Sequence, residues 1–100
     1  MGCAVIFSAQ ANRDLAAIVG FIAEDNPAAA QRLGNKLVDR ALMLGPLPHL
    51  GSPVRERPGV RRLAHKPWVV IYYEVDAVHG VVEISRFWDA RQNPDTFRLP

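Results

Sequence analysis

One cysteine, Cys3, in a chain of 100 residues excludes an internal disulfide. No metal-ligand spacing surrounds it, so neither a disulfide framework nor a bound metal or cofactor is expected to hold this fold together. The scarcity of cysteine fits a reducing compartment, and a cytoplasmic location is expected. Long apolar runs are scarce too. The run Ala4–Phe7 near the start is far too short for a signal peptide or a membrane span, so no membrane association is expected. Met1-Gly2-Cys3 is followed by Ile6 where myristoylation wants Ser or Thr. No internal repeat or low-complexity tract interrupts the chain, and 49% hydrophobic residues suit a folded core. A single domain over residues 1–100 is expected.

What is present is unevenly distributed. Net charge is +2 and the isoelectric point about 9.1. Residues 1–45 balance Arg13, Arg32, Lys36 and Arg40 against Asp14, Glu24, Asp25 and Asp39. Residues 46–75 carry Arg55, Arg57, Arg61, Arg62 and Lys66 against only Glu56 and Glu74. A positive field on the middle of the chain suits an acidic partner or a phosphate backbone, and equally a solvated face.

The hydrophobic pattern gives the elements. Cys3–Phe7 is a short β-branched run, read as a buried strand, and Ser8 after it is a helix cap. From about Ala9 to Glu24, Leu15, Ile18, Val19 and Ile22 form one helical stripe. Asp14 lies toward the positive end of that helix, and Gly20 is a candidate for close helix–helix approach. Asp25-Asn26-Pro27 breaks the pattern, with Asn26 as cap and Pro27 at the first position of a second helix. That helix runs to about Leu44 on the stripe Ala30, Leu33, Leu37, Ala41 and Leu44, and Gly45-Pro46 ends it. The two helices form an antiparallel hairpin.

Pro46–Gly59 is proline-rich and reads as a surface loop without regular structure. Three strands follow. Val60–Lys66 alternates Arg61, Leu63 and His65 with Arg62, Ala64 and Lys66. Trp68–Val75 is β-branched and aromatic. Val81–Trp88 follows a turn at Asp76–Gly80. The remaining tail is polar, with Phe97 and Leu99 as apolar anchors. The order β-α-α-β-β-β predicts an α+β domain, a helical hairpin on one face of a mostly antiparallel four-stranded sheet. The last three strands form a meander, and the partner of the first strand is left open.

Four pieces carry a family resemblance: Phe7-Ser8 leading into Asn12-Arg13-Asp14-Leu15; Asn26-Pro27 with the alanines after it; Val60-Arg61-Arg62-Leu63 with Trp68–Val75; and Ile84-Ser85-Arg86-Phe87-Trp88-Asp89-Ala90-Arg91-Gln92-Asn93-Pro94. In this order the chain resembles the RelE/ParE superfamily of type II toxin–antitoxin toxins, which includes plasmid stabilisation proteins. The resemblance implies a cognate antitoxin that wraps a flexible segment around the toxin in a hetero-oligomer. It also implies one of two activities. RelE-like members cut mRNA on the ribosome, and ParE-like members bind and inhibit DNA gyrase.

A metal-free ribonuclease needs a base for the 2′-hydroxyl, an acid for the leaving oxygen and cations for the phosphorane. Arg61, Arg62, His65 and Arg86 are the catalytic candidates, with Lys66, Tyr72 and Tyr73 nearby. His65 has a suitable titration range, and a plain, partly exposed strand histidine is the competing reading. Arg61 and Arg62 point to opposite faces, so at most one joins a given site, and one is expected to pair with Glu74 or Glu83. Arg86 is either a structural ion pair or a contact to RNA or antitoxin. Tyr72, Tyr73, Phe87 and Trp88 read as core or groove lining. The His-Tyr ending of RelE-like nucleases is missing, and Asp89 stands where many relatives have His. An anionic Asp89 repels phosphate and cannot serve as a general acid. Arg91 is expected to bond the tail back onto the sheet, to Asp89 or a strand carbonyl, or to help form a target-binding surface. Arg61, Arg62, Arg86, Trp88, Asp89 and Arg91 are the candidates for binding target or antitoxin. The balance favours a ParE-like toxin acting on gyrase. A ribosome-dependent mRNA endonuclease is the alternative, and a family member that only pairs with its antitoxin is a third reading.

Overall fold

The structure is a computed structural model and describes residues 2–99. Met1 and Pro100, the ends of the expected domain, lie outside the described residues. Strand β1 (Ala4–Phe7) leads into helices α1 (Ala9–Ala23) and α2 (Pro27–Leu42), then β2 (Ser52–Pro53), β3 (Val60–His65), β4 (Val69–Asp76) and β5 (Val81–Asp89), with a closing 3-10 turn at Pro94–Thr96. The α+β class and the helical hairpin are as the sequence predicts.

Both caps form. The Ser8 hydroxyl accepts from Ala11 N at 3.0 Å and donates to the Ser85 carbonyl at 3.0 Å, so one side chain starts α1 and ties it to β5. The Asn26 side chain accepts from Ala29 N at 3.0 Å, with Pro27 at the first turn, where its missing N–H costs nothing. Ile18, Leu37, Ala41 and Leu44 are buried against the sheet residues Leu63, Ile71, Tyr73, Val82, Ile84 and Phe87. Gly20 makes no close approach, because nothing lies within 4 Å of a Cβ placed there. Gly34 does, with Val19 Cγ2 at 3.1 Å from its Cβ position.

The sheet has five strands in the order β1-β5-β4-β3-β2, not the four expected. The fifth is Ser52–Pro53, inside the segment read as structureless. It pairs antiparallel with β3 through Ser52–Arg62 and Pro53–Arg61, and Pro53 is tolerated because β2 is an edge strand. The open question about β1 is resolved by parallel pairing with β5, Ala4 opposite Val81 through Phe7 opposite Ile84. β1 is thus a half-exposed edge strand rather than a buried one, and Ile6 is 48% exposed. The other pairings are antiparallel.

The prolyl loop is anchored from the core. The buried Tyr73 hydroxyl donates to the Pro48 carbonyl at 2.9 Å and accepts from Gly51 N at 2.9 Å. A Cβ at Gly51 would meet the Arg62 carbonyl and lie 2.8 Å from the Tyr73 hydroxyl, so only glycine fits. Gly51→Ala is expected to destabilise the fold by about 2–4 kcal/mol through backbone displacement. Tyr73→Phe, which leaves the Gly51 N–H buried and unpaired, is expected to cost about 1–3 kcal/mol. Urea unfolding of both variants measures this, and wild-type midpoints would refute the anchoring role.

Candidate functional site

Pairing between β1 and β5 stops at Phe7–Ile84, while β5 runs on to Asp89. The β4–β5 register steps over Ser85, with Ile84 opposite Tyr73 and Arg86 opposite Tyr72. This is a bulge, which re-aims the side chains after it. The outer flank of β5 beyond the bulge faces α1 instead of a strand.

Asp14 occupies that flank. Its carboxylate accepts from Arg86 Nε at 2.7 Å and Nη2 at 2.9 Å, from Phe87 N at 3.2 Å and from Gln10 Nε2 at 2.9 Å. Only 12% of the Arg86 side chain and 9% of the Asp14 side chain are exposed. Asp14 therefore pairs in a fork geometry with a nearly buried cation and also occupies a backbone donor of the open strand flank. Arg86 additionally donates from Nη1 to the Arg98 carbonyl at 2.6 Å. Its guanidinium lies 5.6 Å from the Trp88 ring and 5.5 Å from Phe97. Of the two readings of Arg86, the structural ion pair is what the geometry contains.

Asp89 and Arg91 form a second unit. Asp89 Oδ1 accepts from Arg91 N at 2.9 Å and Nε at 3.0 Å, and Oδ2 accepts from Nη2 at 2.9 Å. The Arg91 hydrogen bonds hold the Asp89 carboxyl below the usual carboxylate range, and Asp89 in turn raises Arg91. The guanidinium stacks on Trp68 at 3.7 Å from the ring centroid, a cation–π contact. Between this unit and α1 lies a groove of about 700 Å³ lined by Asp14, Ile18, Phe21, Trp68, Arg86, Trp88, Asp89 and Arg91. Phe21 stands at its rim, 64% exposed.

The four nuclease candidates do not share one sheet face: Arg62 and Arg86 stand in register on either side of Tyr72, while Arg61 and His65 alternate onto the other face. Arg61 donates to the Gly51 carbonyl from Nε at 3.1 Å and Nη2 at 2.7 Å, and to the His49 carbonyl at 3.3 Å. It holds the prolyl loop, and neither Arg61 nor Arg62 pairs with Glu74 or Glu83, which face each other across β4 and β5. Arg62 lies on the sheet face opposite the helices, 6.0 Å from the Tyr72 ring. His65 is on the helix-facing side near Lys36 and Arg40. Burial lowers its pKa, and Arg40 and Lys36 lower it further. Trp88, Asp89 and Arg91 do come together with Arg86 on the β5 flank.

Sequence reasoning missed Asp14 as a site residue, along with Gln10, Trp68 and Phe97. A signal was available, since a charge at Arg86 in mid-strand requires a partner, and Asp14 precedes Leu15 on the buried side of α1. Phe97 packs 4.7 Å from both Tyr72 and Trp88.

The family model for the ParE toxin of type II toxin–antitoxin systems, parDE, matches residues 5–94. The chain belongs to the ParE toxin family. Like other ParE proteins it is a RelE/ParE superfamily toxin of the type II class. Among solved structures it is similar to the chromosomal ParDE toxin–antitoxin system of P. aeruginosa, with TM-score 0.75 and 22% identity over 87% of this chain and 95% of that one. It is also similar to the toxin–antitoxin complex RelBE2 of Mycobacterium tuberculosis, with TM-score 0.65 and 26% identity over 89% of this chain and 99% of that one. No curated protein matches. Among the described residues, no helix is long and apolar enough to cross a membrane.

Removing Asp14 leaves a nearly buried cation without its partner, so Asp14→Ala is expected to cost about 3–5 kcal/mol. Asp14→Ala with Arg86→Met is expected to recover much of that loss, and chemical denaturation of the pair reads it. His65 gives a pH signature. Its folded pKa lies below the ordinary value of about 6.5, so between the two values the unfolded chain binds more protons and stability falls as pH drops. Stability is therefore expected to decline on acidification below about pH 6.5 in the wild type and to decline less in His65→Gln. Equal slopes would contradict the burial of the ring.

Proposed function

We propose that this ParE-family chain is the toxin half of a toxin–antitoxin pair that acts by binding DNA gyrase and is held inactive by a cognate antitoxin. The observation that carries this reading is the fate of the groups a nuclease would need. Arg86 is committed to Asp14 and the Arg98 carbonyl, and Arg61 to the carbonyls of Gly51 and His49. Asp89 is locked as an anion by Arg91. That arrangement offers no paired acid and base for 2′-hydroxyl attack. What the β5 flank offers is a rigid recognition surface. Trp68 and Asp89 pre-position Arg91 beside Trp88 and the exposed Phe21, and aromatic and Arg anchors of this kind carry most binding energy at interfaces.

The antitoxin belongs to the same proposal. The ParDE and RelBE2 structures are toxin–antitoxin assemblies, and a segment that orders on this chain's grooves is the corresponding partner here.

Purified toxin is expected to block supercoiling by gyrase in proportion to its concentration and to leave mRNA intact in a translating extract. Undisturbed supercoiling at excess toxin, or transcripts cut at A-site codons, would overturn the binding reading. Arg91→Ala is expected to weaken gyrase inhibition at least tenfold by removing an interface anchor worth about 2 kcal/mol.

A further inference from the structure

Helix α2 turns to solvent a side that neither groove of the surface uses. The β5-flank groove takes its helical residues from α1. A second groove of about 830 Å³, on the sheet face opposite the helices, is lined by Arg55, Arg62, Tyr72 and the tail residues Phe97, Arg98 and Leu99. The open side of α2 carries Arg32, Lys36 and Arg40 at i, i+4 and i+8. At roughly 1.5 Å of rise per residue, the three cations follow one another in steps of about 6 Å.

Like charges four residues apart destabilise a helix, so this row works against α2 rather than for it. No carboxylate relieves it. Asp39 is the exposed acid on the same stretch of helix, yet among the described residues none of the three cations forms a salt bridge. Arg40 instead donates from Nη2 to the Ala64 carbonyl at 3.4 Å, which holds its guanidinium beside β3. His65 of β3 reports the resulting field. After burial, Arg40 and Lys36 are what hold its ring below the ordinary histidine range.

An unrelieved row of cations selects an anionic partner, and its neighbours select which one. From Gln31 to Arg40 the exposed side chains are Gln31, Arg32, Asn35, Lys36 and Asp39. None is apolar, so an acidic peptide finds no seat for the side chains that anchor a protein interface. None is aromatic, so the bases of a single strand find nothing to stack on. Arginine and lysine flanked by asparagine and glutamine are the side chains that donate to the phosphate oxygens of a duplex.

We propose that the outer row of α2, Arg32, Lys36 and Arg40, binds the sugar-phosphate backbone of duplex DNA. The proposal rests on the gyrase reading for its setting and adds a second ligand. Gyrase works on a DNA duplex, and a toxin seated on the enzyme through the β5 flank leaves α2 free to lie along that duplex. Two weak contacts carried by one rigid body reinforce each other.

The test uses the full chain and a short fluorescein-labelled DNA duplex of arbitrary sequence. Anisotropy is expected to show binding at low salt that weakens as salt rises, with a log–log slope of about −0.9 for each phosphate neutralised. Arg32→Ala/Lys36→Ala replaces two exposed cations of the row. Its slope is expected to be shallower by about 1.8, and its affinity at low salt to be at least about tenfold weaker. Arg55→Glu, in the other groove, lowers the net charge by the same amount and is expected to bind as the wild type does. Circular dichroism melting controls for folding.

No duplex binding by the wild type, an unchanged slope in the double variant, or an equal loss in Arg55→Glu overturns the proposal. So does duplex RNA, oligothymidine or a polyglutamate peptide binding more tightly than duplex DNA. With gyrase, the double variant is expected to bind the DNA-free enzyme as the wild type does and to inhibit supercoiling less. Loss of binding to DNA-free gyrase sets the row against protein, and the DNA assignment falls while the gyrase reading stands. A wild type that binds the duplex and leaves gyrase untouched sinks the gyrase reading and keeps the DNA site.

Discussion

The carboxylate of Asp14 is the fixed point of this molecule. β5 lies between β1, from the start of the described residues, and β4, its neighbour in sequence. Beyond Ile84 its outer flank would face water with open backbone groups, the usual liability of a sheet edge. Asp14 closes that flank from α1, taking the Phe87 N–H and the Arg86 fork. Ser8 does the same one step earlier at the Ser85 carbonyl. Helix and sheet are thus registered by polar contacts at the end of the interface, while Ile18 and Phe87 supply the apolar packing within it. An ion pair so nearly buried contributes mainly by fixing one geometry, since desolvation offsets much of its attraction.

That fixed point also divides the two grooves of the surface. On the helix side, the Asp89–Arg91 ion pair lies on Trp68 and faces α1 across the groove. On the other side, Arg86 reaches the tail carbonyl of Arg98 and brings Phe97 down on Tyr72 and Trp88. The tail therefore forms a wall of the arginine-lined groove instead of trailing from the domain. The positive surplus noted between residues 46 and 75 is divided by the pleat. Arg61 turns inward to hold the prolyl loop, and Arg62 turns outward into the groove.

Local physics made much of this legible in the sequence. Ser8 and Asn26 announced their caps, the apolar stripes of α1 and α2 placed the hairpin, and alternation separated Arg61 from Arg62. What stayed hidden depends on contacts distant in sequence. The parallel partner of β1 cannot be read from a four-residue run. Asp14 and Arg86 are 72 residues apart, and each alone resembles a solvated charge. β2 is two residues long with a proline, so pairing there reflects the Tyr73–Gly51 anchor rather than propensity. Asp89 was legible as one of two partners for Arg91 because the residues are two apart, and the structure selects it over a strand carbonyl. Gly20 was misread because an isolated glycine in a helix does not say which neighbour, if any, approaches it.

The parallel pairing of β1 with β5 has a consequence for synthesis. Ser8 meets its acceptor on Ser85 across 77 residues of chain, so β1 waits for β5, which is translated long after it. Long-range closure of this kind is slow and comes late. The helical hairpin is complete within the first half of the chain, but both grooves need residues beyond Trp88. A chain translated only as far as Trp88 therefore lacks part of the lining of each groove.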